Sequence, residues 1–419
     1  MSGLMRFLLL TSIALLPIAS IGQVATIDTT VLRIDPEIAM GSTTRRVYKE
    51  VNYIPLQNSE QCIVGEISKL VVVDNYFIVF DRGLDQILIF NKDGSFHAKC
   101  TAIPGLHKNA TMVNNFNFNV FGDFAVNLMN REIVVKTRLD HENLFVFNYQ
   151  GEFKKKIPLM VNNNIKRFWG FAYLDSNRCV YTGRPVALQN NKGSKAYLLC
   201  ISDNFSSNLK EEIPFNPQDI VKERYVKTTL DGPFYQSGTS GECFFTRSYD
   251  YNLYLINVKG ISRVYKMLLP LYYTLPSDFL TDKNKYNNVD YLNNNRQLVY
   301  SISDIYRLND CLFFKLNNGQ YDNEKIFLYQ LNTGDLLNLQ KVSADEFSCF
   351  LPVINGNNSI QACDGKYIYS SFSSLELFDA NEANKDKHPQ YPPLLKKYFL
   401  TQTRKSNPVI VQVKLQENR

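Results

Sequence analysis

The chain has 419 residues, is 45% apolar and 13% aromatic, and carries a formal net charge of +6. That length suits two or three ordinary domains or one large one, and the apolar content is enough for a sizeable core. The charges are scattered rather than striped, which argues against nucleic-acid binding.

The first 22 residues read as a secretory signal peptide. Arg6 is their only charged side chain, followed by the apolar stretch FLLLTSIALLPIA and small residues at Ser20 and Gly22. Cleavage is expected near Gly22, before Gln23. The apolar run is short for a membrane span, and no other segment approaches the length required. No Cys lies at the cleavage site, so no lipid anchor is indicated. Removing Arg6 from the 46 basic residues leaves 45 against 40 acidic, a net charge of +5. The expected product is a soluble periplasmic or secreted monomer without a membrane span, with a leader at 23–46 and one domain at 47–419.

In chain order, VYKEVNYIPLQ and ISKLVVVDN are extended stretches that precede YFIVFDR and then QILIFNKDGSF, Gln86 to Phe96. Ile87 to Phe90 is a β-branched and aromatic run too short for a helix, suited to a strand buried on both faces. NKDG supplies a turn, because Gly94 can take positive φ. The pattern returns as NLFVFNYQGEF, Asn143 to Phe153, and its apolar run again as AYLLC, NLYLI and KIFLY. With Phe90, Phe147, Cys200, Ile256 and Tyr329 as equivalents, the intervals are 57, 53, 56 and 73 residues, the last stretched by an Asn-rich insert. Upstream of each run lies a second strand (YFIVFDR, EIVVKTR, CVYTGR, CFFTR, CLFFK), and before it a further extended stretch. About four strands per unit is the period of a propeller blade.

A sixth unit is supplied by GKYIYSSFSS, and NPVIVQVKLQ alternates cleanly at period two as its next strand. Between them lies a helical, Pro-rich excursion. The outermost strand is expected from VYKEVNYIPLQ. The fold expected is all-β: a six-bladed β-propeller of four-stranded antiparallel blades, its ring closed by pairing the N-terminal strand with the C-terminal blade.

The stretch NYIPLQNSEQCIVGEISKLVVVDNYFIVFDRGLDQILIFNKDGSF resembles the opening of exported six-bladed, NHL-like β-propeller proteins of Bacteroides-type bacteria. The ending LLKKYFLTQTRKSNPVIVQVKLQ is similar to that family's closing helix and strand. The resemblance spans Val47 to Gln416 and implies a propeller in the cell envelope. Many relatives carry a lipid-anchor Cys after the signal, which is absent here. The family implies no agreed activity.

All eight Cys survive cleavage, and export permits disulfides. Yet Cys179, Cys200, Cys243 and Cys311 sit in apolar strand-like runs, and no C-x-x-C occurs. Most are expected to be reduced and buried.

Chemistry is sparse. His97, His107, His141 and His388 have no metal-ligand spacing, and no phosphate loop or nucleophile motif is present. No catalytic residue, cofactor or protein metal site is expected from these motifs. One positional pattern remains: the second strand of five units ends in a cation, namely Arg82, Arg138, Arg184, Arg247 and Lys315. Around an axial mouth these would form an electropositive funnel for carboxylate, sulfate or phosphate groups. Asp85, Asp140 and Asp250 lie within three residues of an Arg, so local ion pairs at strand ends are the competing reading. Trp169, in RFWGFAY, is either a stacking platform for a sugar ring or a wedge between blades. The function expected is a non-catalytic binding propeller for an anionic glycan, a peptide or an envelope protein. The alternative is a metal-dependent hydrolase or lyase with a divalent ion held at the axis by Asp, Glu and Asn.

Overall fold

A computed structural model describes residues 27–100, 103, 112–113, 116–117, 121–161, 164–165, 168–183, 196–215, 232–286, 289–319 and 325–416. Three strands come first: β1 (Asp28–Arg33), β2 (Met40–Thr43) and β3 (Tyr48–Pro55). Blade 1 follows as β4 (Lys69–Val73), β5 (Tyr76–Asp81), β6 (Gln86–Asn91) and β7 (Phe96–Lys99). After a small hairpin, β8 (Met112–Val113) and β9 (Phe116–Asn117), blade 2 comprises β10 (Phe121–Asn127), β11 (Glu132–Thr137), β12 (Asn143–Asn148) and β13 (Phe153–Pro158). A second hairpin, β14 (Met160–Val161) and β15 (Asn164–Ile165), leads to blade 3: β16 (Phe168–Tyr173), β17 (Arg178–Gly183), β18 (Ala196–Asp203) and β19 (Ser207–Phe215). Blade 4 holds β20 (Phe234–Gln236), β21 (Cys243–Phe245), β22 (Asn252–Asn257) and β23 (Gly260–Leu268). Blade 5 holds β24 (Ser301–Leu308), β25 (Cys311–Asn317), β26 (Ile326–Gln330) and β27 (Leu336–Ser343). Blade 6 is β28 (Ala362–Cys363), β29 (Ile368–Phe372), β30 (Val409–Leu415) and, as its outer strand, β3. The architecture is a six-bladed β-propeller.

The repeated apolar run is the third strand of its blade. Phe90, Phe147, Cys200, Ile256 and Tyr329 lie opposite Phe77, Ile133, Tyr181, Cys243 and Leu312 of the second strands. These runs are apolar on both faces because each face meets a different neighbour. In β6, Ile87 and Ile89 feed the core between blades 1 and 2, whereas Leu88 and Phe90 feed the core between blades 6 and 1. All five equivalent residues point into the interface with the preceding blade. Period-two alternation thus divides one strand between two cores.

The glycine of the repeated turn has the same inter-blade role. Gly94 has φ 86°, and a Cβ there would lie 2.2 Å from the Pro55 carbonyl oxygen of blade 6. Gly151 has φ 73°, and its Cβ would lie 2.1 Å from the Lys99 carbonyl oxygen of blade 1. Only glycine lets the turn settle on its neighbour's backbone.

The segment expected as a leader is, in its described part, a belt on the propeller. β1 adds in parallel to the outer edge of β23, and β2 in parallel to β27, so blades 4 and 5 have five strands rather than four antiparallel ones. The reason is burial: Leu32, Ile34 and Ala39 enter the core between blades 4 and 5. The Asp345 carboxylate fastens the belt by accepting from the Thr44 hydroxyl and, at 3.1 Å, from the Arg45 amide. The chain then reaches blade 6, where β3 pairs antiparallel with β30 from Tyr48↔Leu415 to Pro55↔Val409. Blade 6 therefore joins residues 48–55 to the last described strand, Val409–Leu415. Its excursion holds two helices, Ser374–Ala383, started by a Ser373/Glu376 capping box, and Pro393–Thr401, with Pro at the first turn.

Connection lengths divide the two faces of the disc. Each inner strand begins at one face and ends at the other. The face reached by the ends of inner strands carries connections of two to six residues, such as 74–75, 237–242 and 309–310. The opposite face carries the segments 269–300, 344–361 and 373–408, including every helix of eight or more residues among the described residues. We call these the turn face and the loop face. Gly151→Ala should destabilise the protein by more than about 1 kcal/mol, because it combines left-handed strain with a backbone clash. Gly334→Ala should cost less: φ is 80° there, but the nearest atom is the Tyr329 hydroxyl at 3.4 Å. Urea midpoints of the two variants test the ranking.

Candidate functional site

The inner strands β4, β10, β16, β20, β24 and β28 end their sheets at the axis. Three of them bulge near the loop face, between Phe121 and Asp123, Phe168 and Phe171, and Ser303 and Tyr306. A bulge interrupts the ladder and re-aims side chains. Asp304 sits in the third bulge at φ 53°, a left-handed conformation that costs energy for a residue bearing a Cβ.

Neighbouring blades supply donors to the carbonyls of these inner strands. Lys69 Nζ donates to the Phe124 carbonyl at 2.7 Å and pairs with Asp123 at 2.8 Å. Lys136 Nζ donates to the Phe168 carbonyl. Further round, Thr246 donates to Ile302 at 3.0 Å, Tyr306 to Gln361 at 2.7 Å, and the Gln361 amide to Ile67 at 2.8 Å. Each donor belongs to one blade and its acceptor to the next. Buried carbonyls satisfied this way fix the angular spacing at the axis.

At the loop face these elements enclose a cavity of about 350 Å³. Among the described residues, blades 1, 4, 5 and 6 line it and blades 2 and 3 contribute none. Arg82 and Lys315 are its two cations besides Lys69, which is held by Asp123. Lys315 Nζ donates to the Asn357 carbonyl at 3.1 Å, and the Arg82 guanidinium lies over the Phe80 ring at 5.9 Å. Glu66 and Asp304 bring two carboxylates, Asn317, Asn358 and Gln361 bring amides, and Tyr235 lies beside Tyr306 with ring centroids 6.2 Å apart. Complete burial pushes the Tyr306 phenol well above its ordinary value, so it stays a neutral donor.

Of the five sequence-predicted cations, the four described do not all converge. Arg82 and Lys315 meet in the loop-face cavity. Arg247 is turned into its own loop, its Nε donating to Asp250 at 2.8 Å, so the ion-pair reading holds at this position. Arg138 is exposed and lies outside the cavity. Arg184 lies outside the described residues. Offset along the strand does not decide this: counted from the residues opposite the aligned third-strand positions (Phe77, Ile133, Cys243 and Leu312) the cations lie 5, 5, 4 and 3 residues on, yet Arg82 lines the cavity and Arg138, at the same offset, does not. Trp169 falls in the β16 bulge, and its side chain lies outside the described set. Missed at the sequence level were Glu66, Ser68, Lys69, Ser303 and Asp304. The echo ISK (Ile67–Lys69) and ISD (Ile302–Asp304), which opens two inner strands, was the available signal.

A second axial cavity, of about 420 Å³, opens at the turn face. It shares Lys69, Val71, Phe234, Tyr235 and Gln236 with the first and continues to Asp74, Glu242 and Asp364. Lys92 pairs with Asp364 there at 3.2 Å. Burial would raise the Asp364 carboxyl, but hydrogen bonds from Tyr369 and from the Tyr367 and Lys366 amides, with Lys92 alongside, hold it below the usual carboxylate range. Cys243 and Cys363 also line this cavity. All eight cysteines are free thiols and only Cys349 is not buried. Burial pushes Cys100 and Cys363 up to about 12, which suppresses the thiolate. Among the described residues, no group of three or more His, Cys, Asp or Glu side chains is placed to hold a metal ion. None of the described helices is long and apolar enough to cross a membrane.

The profile of a family described as a 6-bladed beta-propeller matches residues 31–103. Among solved structures, an exported protein from Bacteroides fragilis superposes with a TM-score of 0.64 at 16% identity, covering 93% of this chain and 100% of its own. A member of the DUF4221 family from Bacteroides vulgatus gives a TM-score of 0.45 at 10% identity, over 88% of this chain and 97% of its own. No curated protein matches the chain. At such identities the likeness concerns the fold.

Two outcomes follow from these environments. The depressed Asp364 carboxyl contributes stability that is complete above the unfolded carboxylate pKa of about 3.9 and is lost as pH falls through the lower folded value. Asp364→Asn should therefore flatten the acid limb of stability, measured as urea midpoint against pH. A thiol reagent should modify at most Cys349 in the native protein and all eight cysteines after denaturation, read by absorbance.

Proposed function

We propose that this exported-type propeller is a non-catalytic binding protein whose loop-face cavity takes a polar ligand bearing a carboxylate, from an anionic glycan or a peptide. The observation that carries this reading is the meeting of Arg82 and Lys315, from blades 1 and 5, in one cavity with amides from blade 6 between them. Paired cationic donors at a partly desolvated mouth suit an anion. The surrounding carboxylates, amides and Tyr235 suit hydroxyl or amide groups on the remainder of the ligand. Retention of long connections on this face agrees with the rule that binding residues concentrate on loops carried by a rigid scaffold. A periplasmic or secreted location fits the signal-like first 22 residues.

Glu66 and Asp304 share the cavity with Asn317, Asn357 and Asn358, which favours one other reading: a divalent ion held at the axis of a hydrolase or lyase. Metal analysis of the purified protein separates the two, since a stoichiometric ion would replace the binding reading with the enzymatic one. For the binding reading, the test is calorimetric titration with an acidic peptide and an oligouronate. The Arg82→Ala, Lys315→Ala double variant should weaken the bound ligand at least about 10-fold, the loss of one charge-assisted contact. Arg138→Ala should leave affinity unchanged. Equal affinity of the double variant and the native protein would dismiss the cavity.

A further inference from the structure

The two axial cavities share Lys69, Val71, Phe234, Tyr235 and Gln236 in their linings, and β4 contributes to one or both along its whole length. Lys69, Leu70 and Val71 line the loop-face cavity, and Lys69, Val71, Val72 and Val73 line the turn-face cavity. These five residues are the whole of β4, which pairs with β5 on one edge and ends its sheet at the other. An open strand edge presents backbone N–H and C=O groups in alternation. Besides Lys69 and Val71, the residues common to both linings are Phe234, Tyr235 and Gln236, the whole of β20.

From this arrangement we infer that the ligand is an extended polypeptide segment, lying along the axial edge of β4 with a carboxylate at the Arg82 and Lys315 end. The inference rests on the anion reading above and chooses between its two sources. A peptide strand matches the hydrogen-bonding period of an open β edge, whereas a sugar chain does not. The two cavities also differ in charge balance. At the loop-face end Arg82 and Lys315 are matched by Glu66 and Asp304, whereas at the turn-face end Asp74, Glu242 and Asp364 outnumber Lys92, which is committed to Asp364, so the cations of the loop face are the favoured end for a carboxylate. An extended segment would therefore place its acidic end at the loop face. Five residues of strand rise about 17 Å, so a pentapeptide spans β4.

The test uses the full chain and acetylated Thr/Val peptides of two to six residues, each ending in Asp with a free C-terminus. Dissociation constants are measured by fluorescence anisotropy or calorimetry. Affinity should tighten at least about 10-fold from two to five residues and then level off. N-methylation of alternate peptide amides, which removes donors and leaves charge intact, should reverse that gain. Thr239→Trp introduces bulk at an exposed residue of the turn-face lining. It should remove the gain from added length while leaving dipeptide affinity within about two-fold. Affinity independent of length and of N-methylation, but still dependent on Arg82 and Lys315, overturns the strand inference alone. An oligouronate that binds where no peptide does also overturns it. Loss of dependence on Arg82 and Lys315 overturns the underlying anion reading instead.

Discussion

The pairing of β3 with β30 is the contact on which the ring depends. Blades 1 to 5 are each continuous hairpin stacks that meet their neighbours through apolar cores. Blade 6 can form only when residues 48–55 and 409–415 come together across most of the chain. That contact carries a large loop-closure cost, which is offset only when every inter-blade core forms with it. The belt reinforces the closure, because β1 and β2 lay the chain across blades 4 and 5 before β3 enters blade 6. One N-terminal segment thus touches three successive blades and couples their stability.

Closure has a second consequence at the axis. Six inner strands brought together leave carbonyls at bulges and open edges with no ladder partner. The Lys69, Lys136, Thr246, Tyr306 and Gln361 side chains satisfy several of these from the adjoining blade. Such bonds hold the blades at fixed angles around the axial cavities. The cavities are therefore a product of ring geometry rather than of any local motif. Among the described residues the long connections lie on the loop face, whereas the opposite face has connections of two to six residues.

Much of this was legible in the residues. Both-face apolar runs, turn glycines and a repeat of 53 to 73 residues gave the blades, and the third strands fell where Phe90 and its equivalents indicated. The thiols inside strand runs are free, as expected from their surroundings. The leader was misread, because MGST and DTTVLR are short and polar and gain their partners only from β27 and β23. The cationic funnel was legible only as a pattern. Arg82 and Arg138 hold equivalent places on their second strands, yet only Arg82 lines the cavity, and Arg247 turns to Asp250, because which blades border the cavity is set by the ring and not by the repeat.

The sequence by itself determined the units and their number, since strand alternation and turn chemistry act over a few residues at a time. It also determined that each repeated run is apolar on both faces of its strand. Tertiary structure alone decided which cations share a cavity and where the first described strands attach. Those outcomes depend on contacts between residues tens to hundreds of positions apart, whose geometry is set only once all six blades close on one another.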